Sequence, residues 1–365
     1  MIALAPLGAL LVAIVLLDAF ETMVLPRRVT RRFRPARLFY RTVWTPWSAL
    51  ARRTNDVARR ETLLGFFGPL SIILLFVSWA AALVFGFGLI HWAIGSHLTV
   101  DGHRANFGTD VYMSGTTFFT LGLGDVAPHG FAARAITVIE AGTGFGFLAL
   151  VIGYLPVLYQ AFSRREVSIS LLDARAGSPP TAGELLRRYG GHGGMAALDG
   201  LLLEWERQAA DLLESHLSYP ILAYFRSQHD RQSWLAALTA ILDTSALLLA
   251  GADAGSGNEL RPPKLAFALV RHALIDLSQI FDREPLPPSV PRLDANDTAR
   301  LNEVLRATGC PPIEGESQRR LAVLRESYEP YANALAEFLM FPLPPWVAAP
   351  DQLDDWQTPA DGEGH

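Results

Sequence analysis

The stretch from Leu63 to Gly95 contains no Asp, Glu, Lys or Arg. An α-helix needs about 20 apolar residues to cross about 30 Å of hydrocarbon, so this stretch is long enough to span a bilayer. Ala135–Phe162 is a second such stretch, and Glu140 is its only acid. Half of the 365 residues are hydrophobic and the mean hydropathy is +0.22, which is too apolar for an ordinary soluble protein. The sequence therefore predicts a membrane protein.

A third apolar stretch, Ile2–Val24, carries only Asp18 and Glu21 as charged residues. It lacks the basic start and the cleavage site of a secretory signal, so residues 1–25 are predicted to form a retained transmembrane helix. Residues 26–62 follow with eleven arginines and two acids. Because arginine collects on the cytoplasmic side, this segment is predicted to be an interfacial loop that contacts anionic lipid and not nucleic acid. Asp18 is interpreted either as the partner of an interfacial arginine or as a residue for ion or proton passage.

A shorter, interrupted apolar stretch separates the two long spans. Arginines flank Leu63–Phe162 at both ends, which requires an even number of crossings. Two spanning helices with a re-entrant segment between them meet this requirement. Non-helical backbone at membrane depth is tolerated only where protein buries it or water lines it, so the segment is predicted to belong to a pore. The predicted elements are an outer helix (63–95), a pore helix (111–119) capped by Asp110, a filter (120–125) and an inner helix (134–162).

The re-entrant segment reads TTFFTLGLGD over residues 116–125. To strip a cation of water, a protein must offer its own oxygens, and successive backbone carbonyls can do so. Aiming them at one axis needs unusual backbone angles at alternate residues, which glycine adopts cheaply. The predicted ion-binding residues are Thr120, Leu121, Gly122, Leu123 and Gly124.

The longer segment YMSGTTFFTLGLGD resembles the pore loop of the potassium channel family, whose usual pattern is Tyr-x-Ser-x-x-Thr-x-x-Thr-Val-Gly-Tyr-Gly-Asp. Leu121 replaces the usual valine, and Leu123 replaces the usual tyrosine or phenylalanine, which helps to brace the filter in that family. The resemblance covers about residues 63–165. The agreeing positions are Tyr112, Ser114, Thr117, Thr120, Gly122, Gly124 and Asp125.

This resemblance implies a homotetramer that conducts K⁺ passively, with no cofactor other than the permeant ion. Because Leu123 departs from the pattern, a less selective cation channel is an alternative. A membrane-anchored signalling or scaffold protein with a vestigial pore is another. No catalytic constellation is recognisable, so the chain is predicted not to be an enzyme.

Several residues are predicted to support or move the filter. Glu140 either braces it by hydrogen-bonding pore-helix groups such as Thr116 or Thr117, or lines the cavity and attracts cations. The inner-helix glycines serve either close helix packing or a gating hinge, and a proline is predicted to kink the helix near its cytoplasmic end. The predicted support residues are Asp125, Thr117, Tyr112 and Glu140, and the predicted hinge or kink residues are Gly142, Gly144, Gly146 and Pro156.

The rest of the chain shows helical spacing of apolar residues, divided by joints rich in proline and glycine. Residues 166–344 are predicted to form a helical cytoplasmic domain, and residues 345–365 an acidic, disordered tail. Trp234–Ala250 is apolar but short and contains Asp243, so we interpret it as a buried helix. With Cys310 alone, no intrachain disulfide is possible. No Rossmann fingerprint is present, and the sequence identifies no regulatory ligand for the domain.

The predicted fold class is an all-α membrane protein: an N-terminal transmembrane helix, a helix–pore loop–helix module and a soluble α-helical domain. The predicted location is the bacterial inner membrane, with the N-terminus outside and the helical domain in the cytoplasm. One polar group in that domain is interpreted as surface or capping residues, with a metal or ligand site as the alternative. Its members are Glu214, His216, Arg226, His229 and Asp230.

Overall fold

The structure is a computed structural model that describes residues 4–25, 34–100, 105–190, 194–229, 231–252 and 261–349. These residues are almost entirely helical, with one short two-stranded ladder, and the predicted all-α membrane fold is confirmed. The chain divides into two compact units. The first takes in the described residues of Met1–Asn55 and Thr62–Gln160, and the second those of Asp56–Glu61 and Ala161–His365.

The first unit is made up of seven secondary-structure elements. Two of its helices, α3 and α5, also contribute residues to the second unit. Antiparallel pairing of the two strands sets Leu98 opposite Pro128 and brings the two ends of the re-entrant segment together. Trp79 and Leu83 lie in the core of this unit. The elements are α1 (Leu4–Met23), α2 (Pro35–Arg52), α3 (Val57–Ala93), β1 (Leu98–Val100), α4 (Phe107–Phe118), β2 (Val126–Pro128) and α5 (Phe131–Ala176).

Several boundaries differ from those predicted. The outer helix α3 begins at Val57, before the predicted start at 63. The pore helix α4 begins at Phe107 because the Asn106 side chain caps it, in a reciprocal pair with Thr109. The prediction that Asp110 is the cap was therefore wrong. The inner helix α5 continues to Ala176, past the predicted end at 162, because its charged continuation contains neither glycine nor proline to stop it.

Asp18 joins three helices of the first unit. Its side chain is fully buried, and Oδ2 accepts hydrogen bonds from the backbone N–H of Ala36 (2.8 Å) and the indole N–H of Trp79 (3.1 Å). It thus holds the start of α2 against α1 and α3. Arg34 makes its salt bridge with Glu21, at 3.7 Å. Asp18 is therefore a buried helix-anchoring acid. The charge of Arg34 also acts on it, as the arginine-partner interpretation expected, and a part in ion or proton passage stays a prediction.

Gly144 allows α5 to approach the end of α4. A Cβ at Gly144 would lie 2.0 Å from the carbonyl oxygen of Phe118, whereas a Cβ at Gly142 or Gly146 would meet no atom within 4 Å. Close packing is therefore observed at Gly144. The hinge interpretation stays a prediction for Gly142 and Gly146. Pro156 lies inside α5, which continues through it.

The second unit is a helical bundle around α8. Like α1, α3 and α5, this helix is long and apolar enough to cross a membrane, but 83% of its most apolar window is buried inside the protein, as expected of a core helix. Seven helices beyond α5 are described, with a 3₁₀ turn at Pro220–Tyr224 after the second of them. They are α6 (Ala182–Tyr189), α7 (Gly194–Ser218), α8 (Trp234–Gly251), α9 (Arg261–Ile280), α10 (Ala295–Ala307), α11 (Glu316–Glu326) and α12 (Glu329–Leu339).

A buried polar network fixes α8 within the bundle. Arg292 donates to both oxygens of Asp243 (3.3 and 2.5 Å) and to Glu329 (3.1 Å). The hydroxyl of Tyr328 donates to Asp243 at 2.5 Å. The buried carboxylate in α8 is therefore paired and hydrogen-bonded, as a charge in a protein interior must be.

The bundle extends into the segment predicted to be a disordered tail. Trp346 is fully buried, and the Arg292 and Arg325 guanidinium groups lie 5.6 and 5.3 Å from its ring. Its carbonyl accepts a hydrogen bond from the N–H of Gly183 at 2.9 Å. The tail prediction was therefore wrong for residues 345–349, because a single tryptophan supplied an anchor. Residues 350–365 lie outside the described residues.

His216 is buried and not on the surface. Its Nδ1 lies 2.8 Å from the carbonyl oxygen of Leu212, and its Nε2 lies 3.3 Å from Nη1 of Arg165. Arginine can only donate, so Nε2 accepts, Nδ1 carries the hydrogen, and the ring is neutral. Burial, together with the Arg165 charge, lowers the pKa of His216 to about 3. Within the described residues no group of three or more His, Cys, Asp or Glu side chains could hold a metal ion.

The stability of the second unit should fall as the pH drops below about 6.5. An unfolded histidine takes up a proton near that pH, whereas folded His216 does so only near about 3, so the unfolded state binds more protons in between. Chemical unfolding of the full chain in detergent at several pH values in this range measures how steeply the free energy of unfolding depends on pH. The substitution His216→Gln should reduce this pH dependence, whereas His272→Gln, at an exposed histidine, should not. Equal slopes in wild type and His216→Gln would contradict the assignment.

Gly144→Ala should destabilise the first unit by about 1–3 kcal/mol or more, because its methyl group overlaps a backbone oxygen that cannot move alone. Gly146→Ala is the matched control, since it makes the same change in the same helix with open space around it. Thermal unfolding in detergent compares the two variants. A Gly144→Ala protein as stable as Gly146→Ala would show that the close approach is not required.

Candidate ion-conducting site

The re-entrant loop begins by folding back on the end of the pore helix. The backbone N–H of Thr120 donates to the carbonyl of Thr117 at 3.0 Å, and the N–H of Leu121 donates to the carbonyl of Thr116 at 2.7 Å. These bonds occupy carbonyls that the end of a helix otherwise leaves unpaired. Among the predicted support residues, Thr117 thus contacts the loop through its backbone.

Left-handed backbone angles alternate along the loop. The φ angles of Thr120, Gly122 and Gly124 are +56°, +56° and +82°, whereas Leu121 and Leu123 have no positive φ. This is the alternation expected of a chain that turns successive carbonyls toward one axis. Thr120 was not foreseen as a left-handed residue, because that conformation costs a residue with a Cβ about 1–2 kcal/mol.

Tyr112 and Asp125 tie the far end of the loop to the pore helix. The hydroxyl of Tyr112 donates to Oδ2 of Asp125 at 2.9 Å. The side chains of Leu121 and Leu123 between these points are 62% and 64% exposed, so the described residues of one chain cover little of them. The loop is therefore anchored at both ends and open along its length.

Glu140 lies behind the pore helix and is fully buried. Its Oε1 contacts the hydroxyl oxygen of Ser114, which also lies 2.7 Å from the carbonyl oxygen of Val84. Its Oε2 lies 3.5 Å from Nε2 of His91. Glu140 thus contacts the pore helix as the bracing interpretation expects, at Ser114 and not at Thr116 or Thr117. The cavity-lining alternative does not fit a side chain with no exposed surface in this single chain.

The start of the pore helix is held in the same way. The hydroxyl of Ser96 donates to Oδ2 of Asp110 at 2.6 Å, and Asp110 is fully buried in the first turn of α4. A carboxylate is favoured there by the positive end of the helix dipole. Sequence reasoning missed Ser96 and Ser114 as contacts, although Ser114 belongs to the motif that carried the family resemblance.

The inner helix keeps a long apolar face uncovered. Only 11% of its most apolar window is buried, compared with 50% for the outer helix α3. Lipid or another chain must cover such a face in a membrane. The exposed apolar side chains include Val138, Ile139, Phe145, Leu148 and Ile152.

Comparison with known proteins agrees with this geometry. Residues 72–160 match a family model described as "Ion channel". The chain is also 28% identical over 200 residues to the "Uncharacterized membrane protein YdjJ" of Bacillus subtilis (strain 168). That match covers 54% of this chain and 56% of the relative, little more than half of each. No solved structure matches the chain. The protein is therefore a helical membrane protein in which residues 72–160 are similar to ion channels.

Proposed function

We propose that the protein is a homotetrameric cation channel that conducts K⁺ passively. The observation that carries the proposal is the alternation of left-handed residues at Thr120, Gly122 and Gly124, directly after the pore helix. The ion channel family match over residues 72–160 supports it. Similarity to ion channels also favours a transport function over an enzymatic one, because ion conduction requires no covalent step.

Four chains are proposed because one loop cannot surround an ion. A closed ring of identical chains presents the same loop to a central axis from every side. The exposed face of α5 and the uncovered Leu121 and Leu123 side chains offer surfaces that neighbouring chains would bury.

The transported substrate is the K⁺ ion. The carbonyls of residues 120–124 and the Thr120 hydroxyl would replace the water oxygens of the ion, so it could enter without a large dehydration penalty. The C-terminal end of α4, where the helix dipole is negative, points at the start of this loop and favours a cation. The Tyr112–Asp125 hydrogen bond would keep the loop from collapsing when the ion leaves.

The proposed location is the bacterial inner membrane, with the second unit in the cytoplasm. Helix α2 buries Ala36, Trp44 and Ala51 on one face and exposes Arg41 and Leu50 elsewhere. An amphipathic helix of this kind, rich in arginine, suits the headgroup region of an anionic leaflet. We propose that the helical second unit regulates opening or assembly.

Recording from purified protein in planar bilayers tests the channel proposal. Currents carried by K⁺ under a K⁺ gradient are expected. Absence of current under all ionic and lipid conditions, together with ligand binding by the second unit, would favour a membrane-anchored signalling protein with a vestigial pore.

Leu123 is the position that decides how selective the pore is. Leu123→Tyr should raise the K⁺ over Na⁺ permeability ratio about tenfold, equivalent to about 1.4 kcal/mol, because the ring restores the usual brace. Reversal potentials in mixed K⁺ and Na⁺ measure this ratio. Leu10→Tyr, which adds the same ring to the exposed surface of α1, is the control and should leave the permeability ratio unchanged. An unchanged reversal potential in Leu123→Tyr would refute this role, and equal wild-type permeabilities would support the less selective channel.

A further inference from the structure

A cluster of buried ionisable groups lies behind the pore helix. His91, Asp110 and Glu140 come from α3, α4 and α5, and none is more than 1% exposed. Within the described residues, His91 Nε2, Asp110 Oδ1 and Glu140 Oε2 have no hydrogen-bond partner. A fully buried carboxylate is costly to ionise in a medium of low dielectric constant, and each of these two has one oxygen without a hydrogen-bond partner among the described residues. The cluster therefore has a physical reason to retain a proton.

The contacts of Ser114 indicate where that proton lies. Its hydroxyl oxygen has two neighbours, the carbonyl oxygen of Val84 and Oε1 of Glu140. A serine hydroxyl has one hydrogen to donate, and a carbonyl oxygen can only accept. The two contacts are separate two-centre hydrogen bonds, each with its own hydrogen, only if Ser114 donates to Val84 and Glu140 donates to Ser114. Glu140 can donate only as the protonated acid.

The neighbours of Asp110 favour its ionised form, whereas the contacts of Ser114 indicate that Glu140 is the neutral acid. Asp110 accepts from Ser96 and lies at the positive end of the α4 dipole. The groups that face Glu140 are His91 from α3 and Ser114 from α4, and those that face Asp110 are Ser96 and His91. No Arg or Lys is among these neighbours to stabilise a second carboxylate.

We propose that Glu140 is a proton-binding site that couples the pore to pH. The inference rests on the proposed channel function. With its proton, Glu140 ties the inner helix to the pore helix through Ser114. When the O–H bond breaks and the proton leaves to solvent, an uncompensated charge remains, Ser114 must turn away from Val84, and the support behind the filter weakens. Conduction therefore falls as the pH rises.

Recording at equal pH on both sides of the bilayer tests the proposal. Wild-type current should fall at least about tenfold between neutral and strongly alkaline pH, as a one-proton titration allows. The Glu140→Gln channel should conduct, and its current should change less than about twofold over the same pH range. The reason is that the glutamine amide N–H donates to Ser114 and cannot be lost. His97→Gln removes an exposed histidine near the same end of α3 and should keep the wild-type profile. A pH-independent wild type, or a Glu140→Gln profile like that of the wild type, would overturn the proposal.

Infrared spectroscopy gives a test that does not depend on current. The wild-type protein at neutral pH should show a carboxylic-acid carbonyl band that is lost in Glu140→Gln. If that variant does not fold, Ser114→Ala should shift the band, because the acid loses its acceptor. A spectrum in which neither variant changes the acid band would refute a protonated Glu140. Loss of the band at Glu140→Gln in a protein without any current would uphold the proton site and refute the channel.

Discussion

Backbone that is not helical can exist at the depth of a bilayer only where protein or enclosed water satisfies its polar groups. In the proposed channel, residues 119–125 are such backbone, and the rest of the first unit holds them. Their first N–H groups bond to the carbonyls at the end of α4, and their last residue, Asp125, bonds to Tyr112. The pore helix is in turn held by the spanning helices on either side.

Those helices hold the pore helix by two different kinds of contact. One is steric, since the absence of a side chain at Gly144 lets the inner helix lie against the carbonyl of Phe118. The other is polar, since Ser114 touches both the outer helix at Val84 and the inner helix at Glu140. A steric contact sets a distance, whereas a contact that depends on one proton can be switched. The proposed pH sensitivity follows from this difference.

The second unit meets the same requirement for buried polar groups in a different way. Its core helix α8 is apolar enough to cross a membrane, yet Asp243 is paired with Arg292 and Tyr328 inside the bundle. His216 is kept neutral by an arginine on one side and a helix carbonyl on the other. Buried charge is thus compensated in the bundle by fixed partners, whereas no arginine or lysine of the described residues lies beside Glu140 in the first unit.

Local patterns in the sequence determined much of this molecule. Apolar length predicted the spans, because hydrocarbon thickness sets how many residues a helix needs, and the alternating glycines predicted the left-handed positions at Gly122 and Gly124. Only the tertiary structure identified the partners of the buried polar groups. Asp18 meets Trp79, Glu140 meets Ser114 and His91, and Asp243 meets Arg292, each pair far apart in the chain. Such contacts depend on how helices pack and rotate, which residue spacing along one helix does not specify.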